Sequence, residues 1–303
     1  MQTRRQFLIS SGAAATAAVV PRIAFAASRL QVGAMQIDTL LDGSLVLPRN
    51  FITAGMLEPQ TGEILASYGI TGPQLTPPCN VTLLRDGDRT VLFDLGSGPN
   101  FQPTAGKLLD AMSVLDVSPE DVTHVVFTHA HPDHIWGLLD DFDEPVFADA
   151  EHMIGDIEFD YWMDPNTVDR IGDARKTFAV GAKRRLEVIA EMVTRIEDDQ
   201  EILPGVTARL TPGHTPGHLS FELRSGSQSA MVVGDAIGNH HIAFEKPDWA
   251  AGSDQEPDLA AKTRAKLMDE LASSAMPLIG YHLPDSGIGI AERKGSGYRF
   301  VAI

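Results

Sequence analysis

Cysteine is nearly absent from this sequence, and its scarcity excludes one means of stabilising the fold. Cys79 is the only cysteine among 303 residues, so no disulfide can form within the chain. It lies in Pro77-Pro-Cys-Asn80, at the start of a predicted strand. This setting indicates a buried structural thiol.

Basic residues and long apolar runs are also scarce. Lys and Arg number 24 against 41 Asp and Glu, which gives a formal net charge of −17. Such an acidic body repels phosphate backbones, so we expect no nucleic-acid partner. The chain is 43% hydrophobic, enough for a substantial core, but no run after the N-terminal segment is long enough to span a membrane. We therefore expect no membrane insertion of the mature protein.

The first 26 residues resemble a twin-arginine export signal. Thr3-Arg-Arg-Gln-Phe-Leu8 precedes a modestly apolar stretch over residues 9–20, and Ala24-Phe-Ala26 fits the small-x-small cleavage pattern. This predicts a signal peptide over residues 1–26, a single mature domain over residues 27–303 and a periplasmic location. The alternative interpretation is a disordered N-terminus.

The densest cluster of metal-binding side chains is Thr128-His-Ala-His-Pro-Asp-His134. His129 and His131 are two positions apart, so on extended backbone they point to the same side. Asp133 and His134 add an oxygen and a third imidazole from the turn that follows. Zinc and similar divalent ions bind this combination of nitrogen and carboxylate ligands. The alternative is a polar, histidine-rich loop without a metal.

Three further candidate ligands lie downstream, each after a predicted strand. His214 lies in Thr211-Pro-Gly-His-Thr-Pro-Gly-His218, a stiff turn; Asp235 ends the apolar run Met231-Val-Val-Gly-Asp; His282 follows Pro277-Leu-Ile-Gly-Tyr. Each is a weak signal alone, because a single histidine after a strand is more often structural. Their order and settings together indicate a metal site.

The remaining pattern alternates strands and helices. Helices are predicted over residues 107–115, 179–197 and 258–272 from apolar residues at helical spacing. Asp42-Gly43 predicts a hairpin turn between residues 35–41 and 45–47, and Asp86-Gly-Asp-Arg89 predicts a second hairpin. Residues 50–78, rich in Gly, Pro and Thr, predict a long loop. Periodicity alone indicates only a mixed α/β fold.

With these residues in place, the chain resembles the metallo-β-lactamase-fold hydrolases. Their signature is His-x-His-x-Asp-His followed by His, Asp and His, and all seven positions are filled here. The resemblance implies an α/β fold, the four-layer αββα metallo-β-lactamase sandwich. It also implies two divalent ions per chain, zinc first, with manganese, cobalt or iron as alternatives. The implied ligands are His129, His131 and His214 for one ion, Asp133, His134 and His282 for the other, and Asp235 as the bridge.

The resemblance also implies a reaction. A hydroxide bridging the two ions would attack a carbonyl carbon or a phosphorus centre, with Asp133 and Asp235 as catalytic residues and Asp133 able to pass a proton to the leaving group. The tail, His282-Leu-Pro-Asp-Ser-Gly-Ile-Gly and Lys294-Gly-Ser-Gly-Tyr-Arg-Phe-Val301, is similar to the branch of methyl parathion hydrolase and lactonase-like enzymes. The expected substrate is a small neutral lactone, aryl ester or phosphotriester.

Other residues carry weaker predictions about the pocket. The predicted substrate pocket contains Trp136, Trp162, His240, His241 and Phe244, although core packing explains each of them about as well. Asp94, at a strand end, resembles an aspartate that orients a ligand histidine; a turn-capping role is the alternative. Lactonases that open acyl-homoserine lactones often have a Tyr three residues after the bridging Asp, whereas this chain has Gly238. This difference argues against an acyl-homoserine lactonase of that kind.

Three alternative functions stay open. One is another hydrolase of this fold, either a β-lactamase or a glyoxalase II-like thioesterase. Another is a persulfide dioxygenase with one iron, which generally does not use the second set of ligands. The last is a non-catalytic binding protein. Related enzymes are often dimers, so a homodimer is one possible assembly.

Overall fold

The computed structural model describes residues 28–303, so the predicted signal peptide and its cleavage site lie outside the described residues. The strands, in chain order, are β1 Arg29–Val32, β2 Met35–Ser44, β3 Leu47–Pro48, β4 Gln74–Leu75, β5 Pro78–Asp86, β6 Arg89–Phe93, β7 His124–Phe127, β8 Glu151–Gly155, β9 Thr194–Ile196, β10 Glu201–Leu203, β11 Val206–Leu210, β12 Leu219–Ser225, β13 Gln228–Gly234, β14 Leu278–Gly280, β15 Ile288–Lys294 and β16 Gly297–Ala302.

The helices lie between these strands. In chain order they are α1 Arg49–Thr53, α2 Glu58–Ser67, α3 Leu108–Val114, α4 Pro132–Ile135, α5 Asp156–Met163, α6 Thr167–Arg170, α7 Lys176–Ile189, α8 Ile242–Glu245 and α9 Pro257–Ser274. Short 3₁₀ turns occur at Pro119–Asp121, Trp136–Leu138, Asp173–Arg175, Asp235–Ile237 and Asp285–Gly287. Within residues 28–303, even the longest helix, α9, lacks the apolar length that a membrane crossing requires, and so do the shorter ones.

Two seven-stranded sheets form the centre of the molecule. The first has the order β1-β2-β5-β6-β7-β8-β9 and the second has the order β10-β11-β12-β13-β14-β15-β16. Strands β6 to β9 are parallel to one another, and in the second sheet β13 and β14 are parallel. Strands β3 and β4 form a separate two-stranded ribbon.

The alternation of side chains along each strand explains the layers. On β7, Val126 packs between the sheets, whereas Val125 and Phe127 pack outward against helices α3 and α7. On β13, Val232 faces the first sheet, and Met231 packs outward with α9. Because both faces are buried there, residues 125–127 of β7 and 230–233 of β13 are all apolar. The result is the four-layer αββα sandwich that the resemblance implied.

One of the two predicted hairpins is wrong for an identifiable reason. Asp42-Gly43 is a bulge inside β2 and not a hairpin turn: the register shifts there, and Gly43 has a φ of +124°. A Cβ on Gly43 would lie 2.3 Å from the carbonyl oxygen of Thr104, so only glycine fits. The Asp42 carboxylate accepts hydrogen bonds from three peptide N–H groups, which explains its burial. The second hairpin is confirmed as the β5–β6 pair.

The end of one predicted helix and one predicted loop also differ from the structure. The helix predicted over residues 179–197 ends at Ile189, and the chain then forms the edge strand β9 beside β8. Ile196 lies seven residues after Ile189, so it matches the helical spacing although it packs between the sheets from a strand. The loop predicted over residues 50–78 is wrong, because this segment contains most of α1, all of α2 and the short strand β4. Pro59, in the first turn of α2, was a helix-start signal.

Candidate metal centre

The seven predicted ligands come from loops that follow the carboxyl ends of strands. His129 and His131 follow β7, Asp133 and His134 lie on α4, His214 follows β11, Asp235 follows β13 and His282 follows β14. Because β13 and β14 are parallel neighbours, the loops after them leave the sheet at the same edge. Both sheets therefore contribute ligands to one region.

One group of imidazole nitrogens converges closely. The Nε2 atom of His129 lies 3.0 Å from Nδ1 of His131, which lies 2.9 Å from Nε2 of His214. All three side chains are buried. This is the set that the resemblance assigns to one ion, and the three ligand atoms lie within 4.8 Å of one another.

A second group lies beside the first. The Oδ2 atom of Asp133 is 3.2 Å from Nε2 of His282 and 3.4 Å from Nε2 of His134. The Asp235 carboxylate lies between the groups, with Oδ2 3.3 Å from Nε2 of both His214 and His282, and with Oδ1 3.5 Å from Nε2 of His134. Asp235 is therefore placed to contact ions held by either group.

Each ligand imidazole has its other nitrogen occupied by a neighbour. The five pairs are His129 Nδ1 with Thr128 Oγ1 at 3.0 Å, His131 Nε2 with the Gln255 amide at 3.1 Å, His134 Nδ1 with Asp94 Oδ2 at 2.8 Å, His214 Nδ1 with Asp254 Oδ1 at 3.0 Å, and His282 Nδ1 with the Pro78 carbonyl at 2.8 Å. Such partners fix ring orientation and leave the inner nitrogen as the lone pair that faces the centre.

Several inner atoms have no hydrogen-bond partner within residues 28–303. They are Oδ2 of Asp133, Nε2 of His134 and Oδ1 of Asp235, all fully buried. Buried polar atoms left without a partner are destabilising, so a cluster of them at one point indicates a missing ligand. Five nitrogens and two carboxylates form a donor set that suits zinc or a similar divalent ion. The residues therefore fit the metal centre that the fold implies.

The charge distribution differs between the two groups. Burial and the neighbouring imidazoles hold the pKa of His129 and His131 well below the usual value, so both rings are neutral. Burial also lowers the pKa of His134, but the Asp133 and Asp235 carboxylates outweigh it and raise that pKa well above the usual value. The two carboxylates therefore favour a positive charge at His134, which a bound cation would supply in place of a proton.

Asp94 holds His134 from the far side. Besides the contact with His134, its carboxylate accepts hydrogen bonds from the backbone N–H and the hydroxyl of Thr128, both at 2.8 Å. Asp94 has a φ of 69°, a left-handed conformation that few residues other than glycine adopt. The strained backbone aims the carboxylate at both Thr128 and His134, as an orienting role requires.

Sequence reasoning missed the partners of His131 and His214. Asp254 contacts His214 and pairs with the buried Arg264 at 2.6 Å, and Gln255 bridges His131 and the Tyr161 hydroxyl. Nothing local distinguishes residues 254 and 255 from an ordinary polar segment before a helix. Arg264 did carry a signal, because it lies on the apolar face of α9 and a charge there needs a buried partner.

Cys79 is buried as predicted, but it lies beside the centre. Its sulfur, one oxygen of Asp133 and one nitrogen of His282 lie within 4.8 Å of one another. Burial raises the pKa of the thiol to about 11. Because Cys79 is the second residue of β5, far from the histidine motifs in sequence, only the fold reveals this proximity.

An apolar cavity opens onto the centre. Ligands His131, Asp133, His214, Asp235 and His282 form part of its lining, together with apolar side chains that include Leu45, Leu47, Phe51, Phe101 and Phe178. Gly238 also lines it, and a Cβ there would make only an ordinary contact, 3.8 Å from the carbonyl oxygen of Asp235.

The lining of this cavity contains none of the five predicted pocket residues, which lie in three other settings. His240 and His241 line an adjoining cavity that shares His282 with the first. Trp136 packs on Phe101, with ring centroids 5.1 Å apart. Trp162 and Phe244 are fully buried, the former behind His131 and the latter in the core outside the second sheet.

Comparisons with known proteins agree with this geometry. The model of the metallo-beta-lactamase superfamily matches residues 76–275. An N-acyl homoserine lactonase from Bacillus cereus is 23% identical over 195 residues, covering 62% of this chain and 64% of that protein. The lactonase AttM from Agrobacterium fabrum is 29% identical over 128 residues, covering 41% and 44%. The chain thus spans less than two thirds of the length of these relatives.

Two solved structures share the fold over almost their whole length. The dizinc quorum-quenching lactonase AidC has a TM-score of 0.86 and 24% identity, covering 91% of this chain and 97% of that one. The hydrolase AbOPH of the beta-lactamase superfamily has a TM-score of 0.82 and 28% identity, with the same coverage. Since the family model spans well over half of the chain and the fold agrees, the chain belongs to the metallo-beta-lactamase superfamily.

Proposed function

We propose that the protein is a dinuclear metal-dependent hydrolase of small neutral esters, with lactones as the first class to test. The observation that carries this proposal is the convergence of seven buried donor groups, several of them unpartnered, on the lining of an apolar cavity. The lactonases among its relatives support the same reaction class. Aryl esters and phosphotriesters share the required neutral, apolar character and belong in the same panel.

The cavity favours neutral substrates. Among residues 28–303, Arg264 is the one lysine or arginine that lines it, and its guanidinium is already paired with Asp254. A carboxylate-bearing substrate such as a β-lactam would therefore find no free cationic side chain. Phe51, Phe101 and Phe178 offer apolar surface for an acyl or aryl group instead.

The residues of the chain have distinct tasks in this reaction. Bound divalent ions would supply Lewis acidity for the ester carbonyl and lower the pKa of water. His129, His131 and His214 would hold one ion, Asp133, His134 and His282 the other, and Asp235 would contact both. Asp133 also lines the cavity, so its carboxylate can carry a proton to the leaving alcohol. The apolar wall excludes bulk water from the reacting group.

Metal removal and restoration test the proposal. Dialysis against a chelator should abolish hydrolysis of lactones and aryl esters, and zinc, manganese or cobalt should restore it. His214→Ala should lower activity more than about 100-fold, because even outer partners of metal ligands are worth 10–100-fold. His124→Gln is the matched control, since His124 lies at the start of β7 and contacts Thr123. Full activity after complete demetallation would reject the proposal.

Two assays on the metal-loaded protein distinguish the proposed hydrolase from a β-lactamase and from a dioxygenase. Nitrocefin should not be hydrolysed, because the cavity lacks a free cation for its carboxylate. Elemental analysis should find two divalent ions per chain, whereas a single iron would indicate the dioxygenase alternative. The signal predicted over residues 1–26 would place the activity in the periplasm, which cell fractionation would check.

A further inference from the structure

Glu158, on α5, is a buried carboxylate that neither the metal ligands nor the cavity accounts for. It has no exposed surface, and each of its oxygens accepts two hydrogen bonds. Oε1 accepts from the Ala130 N–H at 3.0 Å and from the Trp162 indole N–H at 2.6 Å. Oε2 accepts from the Thr215 hydroxyl at 2.7 Å and from the Gly217 N–H at 3.1 Å.

Three of these donors, those of Ala130, Thr215 and Gly217, lie on the two loops that carry one group of ligands. Ala130 lies between His129 and His131, and Thr215 directly follows His214. One carboxylate therefore connects backbone from the first sheet with backbone from the second. We propose that Glu158 is a positioning residue that holds these two loops together, so that the three imidazoles meet at one ion. This inference rests on the proposed metal centre.

The packing around Glu158 leaves the loops little freedom. A Cβ on Gly217 would lie 2.1 Å from the backbone nitrogen of Glu158, so the turn and the start of α5 are in direct contact. Trp162, fixed by its bond to Glu158, places its ring 5.8 Å from the His131 ring in an edge-on arrangement. A displaced Glu158 would thus release both the backbone and the aromatic support of His131.

A carboxylate suits this position better than an amide. The N–H groups of Ala130, Trp162 and Gly217 can only donate, so Glu158 must offer lone pairs on both oxygens. A glutamine has one oxygen, and if this faces Ala130 and Trp162, its NH₂ group faces the Gly217 N–H. That N–H would be left buried and unpaired, and the turn carrying His214 would have to shift.

Zinc binding by Glu158→Gln tests the inference without reference to activity. We expect competition with a chromophoric chelator to show one of the two zinc ions bound 10–100-fold more weakly than in the wild type. Asp160→Asn is the matched control, because Asp160 lies on the same helix and pairs with Arg195 at the surface. The visible spectrum of the cobalt-loaded protein should change in Glu158→Gln and stay unchanged in the control.

Two further measurements keep the inference falsifiable. Trp162→Phe removes one hydrogen-bond donor to Glu158 and should weaken the binding of the same zinc ion by a smaller factor. This variant provides a test if Glu158→Gln does not fold. Thermal unfolding of the metal-free proteins separates positioning from general stability. Zinc affinities and cobalt spectra like those of the wild type would overturn the inference, even with a lowered unfolding temperature. A wild-type protein that binds no zinc would instead overturn the metal centre itself.

Discussion

Replacing Asp254 by asparagine tests whether a buried ion pair holds His214 in place. Asp254 and Arg264 are 5% and 4% exposed, and their side chains meet at 2.6 Å. Asparagine keeps the size of the side chain but removes its charge. The other contacts of the guanidinium within the described residues, to the carbonyls of Ala236 and Trp249, are long, at 3.4 and 3.3 Å. Arg264 would therefore be buried without a counter-charge.

The expected magnitude follows from that burial. Breaking a buried ion pair by removing one partner typically lowers the free energy of unfolding by about 3–5 kcal/mol, a large part of the roughly 5–15 kcal/mol of a typical domain. The neutral amide also holds the Nδ1–H of His214 more weakly, which should lower zinc affinity about 10–100-fold. The double variant Asp254→Asn, Arg264→Met removes both charges. It should regain much of the stability but not the zinc affinity.

Urea unfolding of chelator-treated protein measures the first quantity, and zinc competition measures the second. Asp258→Asn, at an exposed position in the first turn of α9, removes the same charge from a solvated position and should change stability by about 1 kcal/mol or less. If the free energy of unfolding of Asp254→Asn fell by less than about 1 kcal/mol and the variant bound zinc as tightly as the wild type, the ion pair would not hold His214 in place.

Two other predictions concern the core and the response to acid. Phe221→Ala should lower the free energy of unfolding by about 3–5 kcal/mol, because the ring is fully buried between the sheets, 5.2 Å from the Phe93 ring. Phe142→Ala, at an 85% exposed ring, should change it by less than about 0.5 kcal/mol in the same denaturation assay. Burial and the nearby His214 lower the pKa of His218 from 6.5 to about 3. The unfolded chain therefore binds a proton at a pH where the native state does not, and this stabilisation, present above pH 6.5, is lost as pH falls toward 3. Between pH 7 and pH 5, the free energy of unfolding of the metal-free wild type should fall by about 2 kcal/mol more than that of His218→Gln. Equal decreases in the two proteins would contradict the lowered pKa of His218.

The ligands were predictable from the sequence because their signals are local. His129, His131, Asp133 and His134 lie within six positions. His214 lies in a turn rich in Pro and Gly, and Asp235 and His282 end or follow short apolar runs. The outer partners were not predictable in the same way. Glu158 and Asp254 lie in ordinary acidic segments, and only the folded chain brings them to the histidines.

Local pattern also failed where one signal suits two structures. Asp42-Gly43 is as compatible with a bulge as with a turn, and the choice depends on Thr104, whose carbonyl approaches from a distant segment. Likewise, Ile196 matches the helical spacing of α7, yet pairing with β8 places it in a strand. Such choices are decided by contacts between segments that no local window contains.

The division of the ligands between the two sheets has a mechanical consequence. His129, His131, Asp133 and His134 come from the N-terminal half, and His214, Asp235 and His282 come from the C-terminal half. Each half alone supplies an incomplete set of ligands for either ion, so a bound cation would link the two halves. Cleavage of the chain between β9 and β10 would yield two fragments whose reassociation the ion itself would promote, because it binds tightly only where they meet.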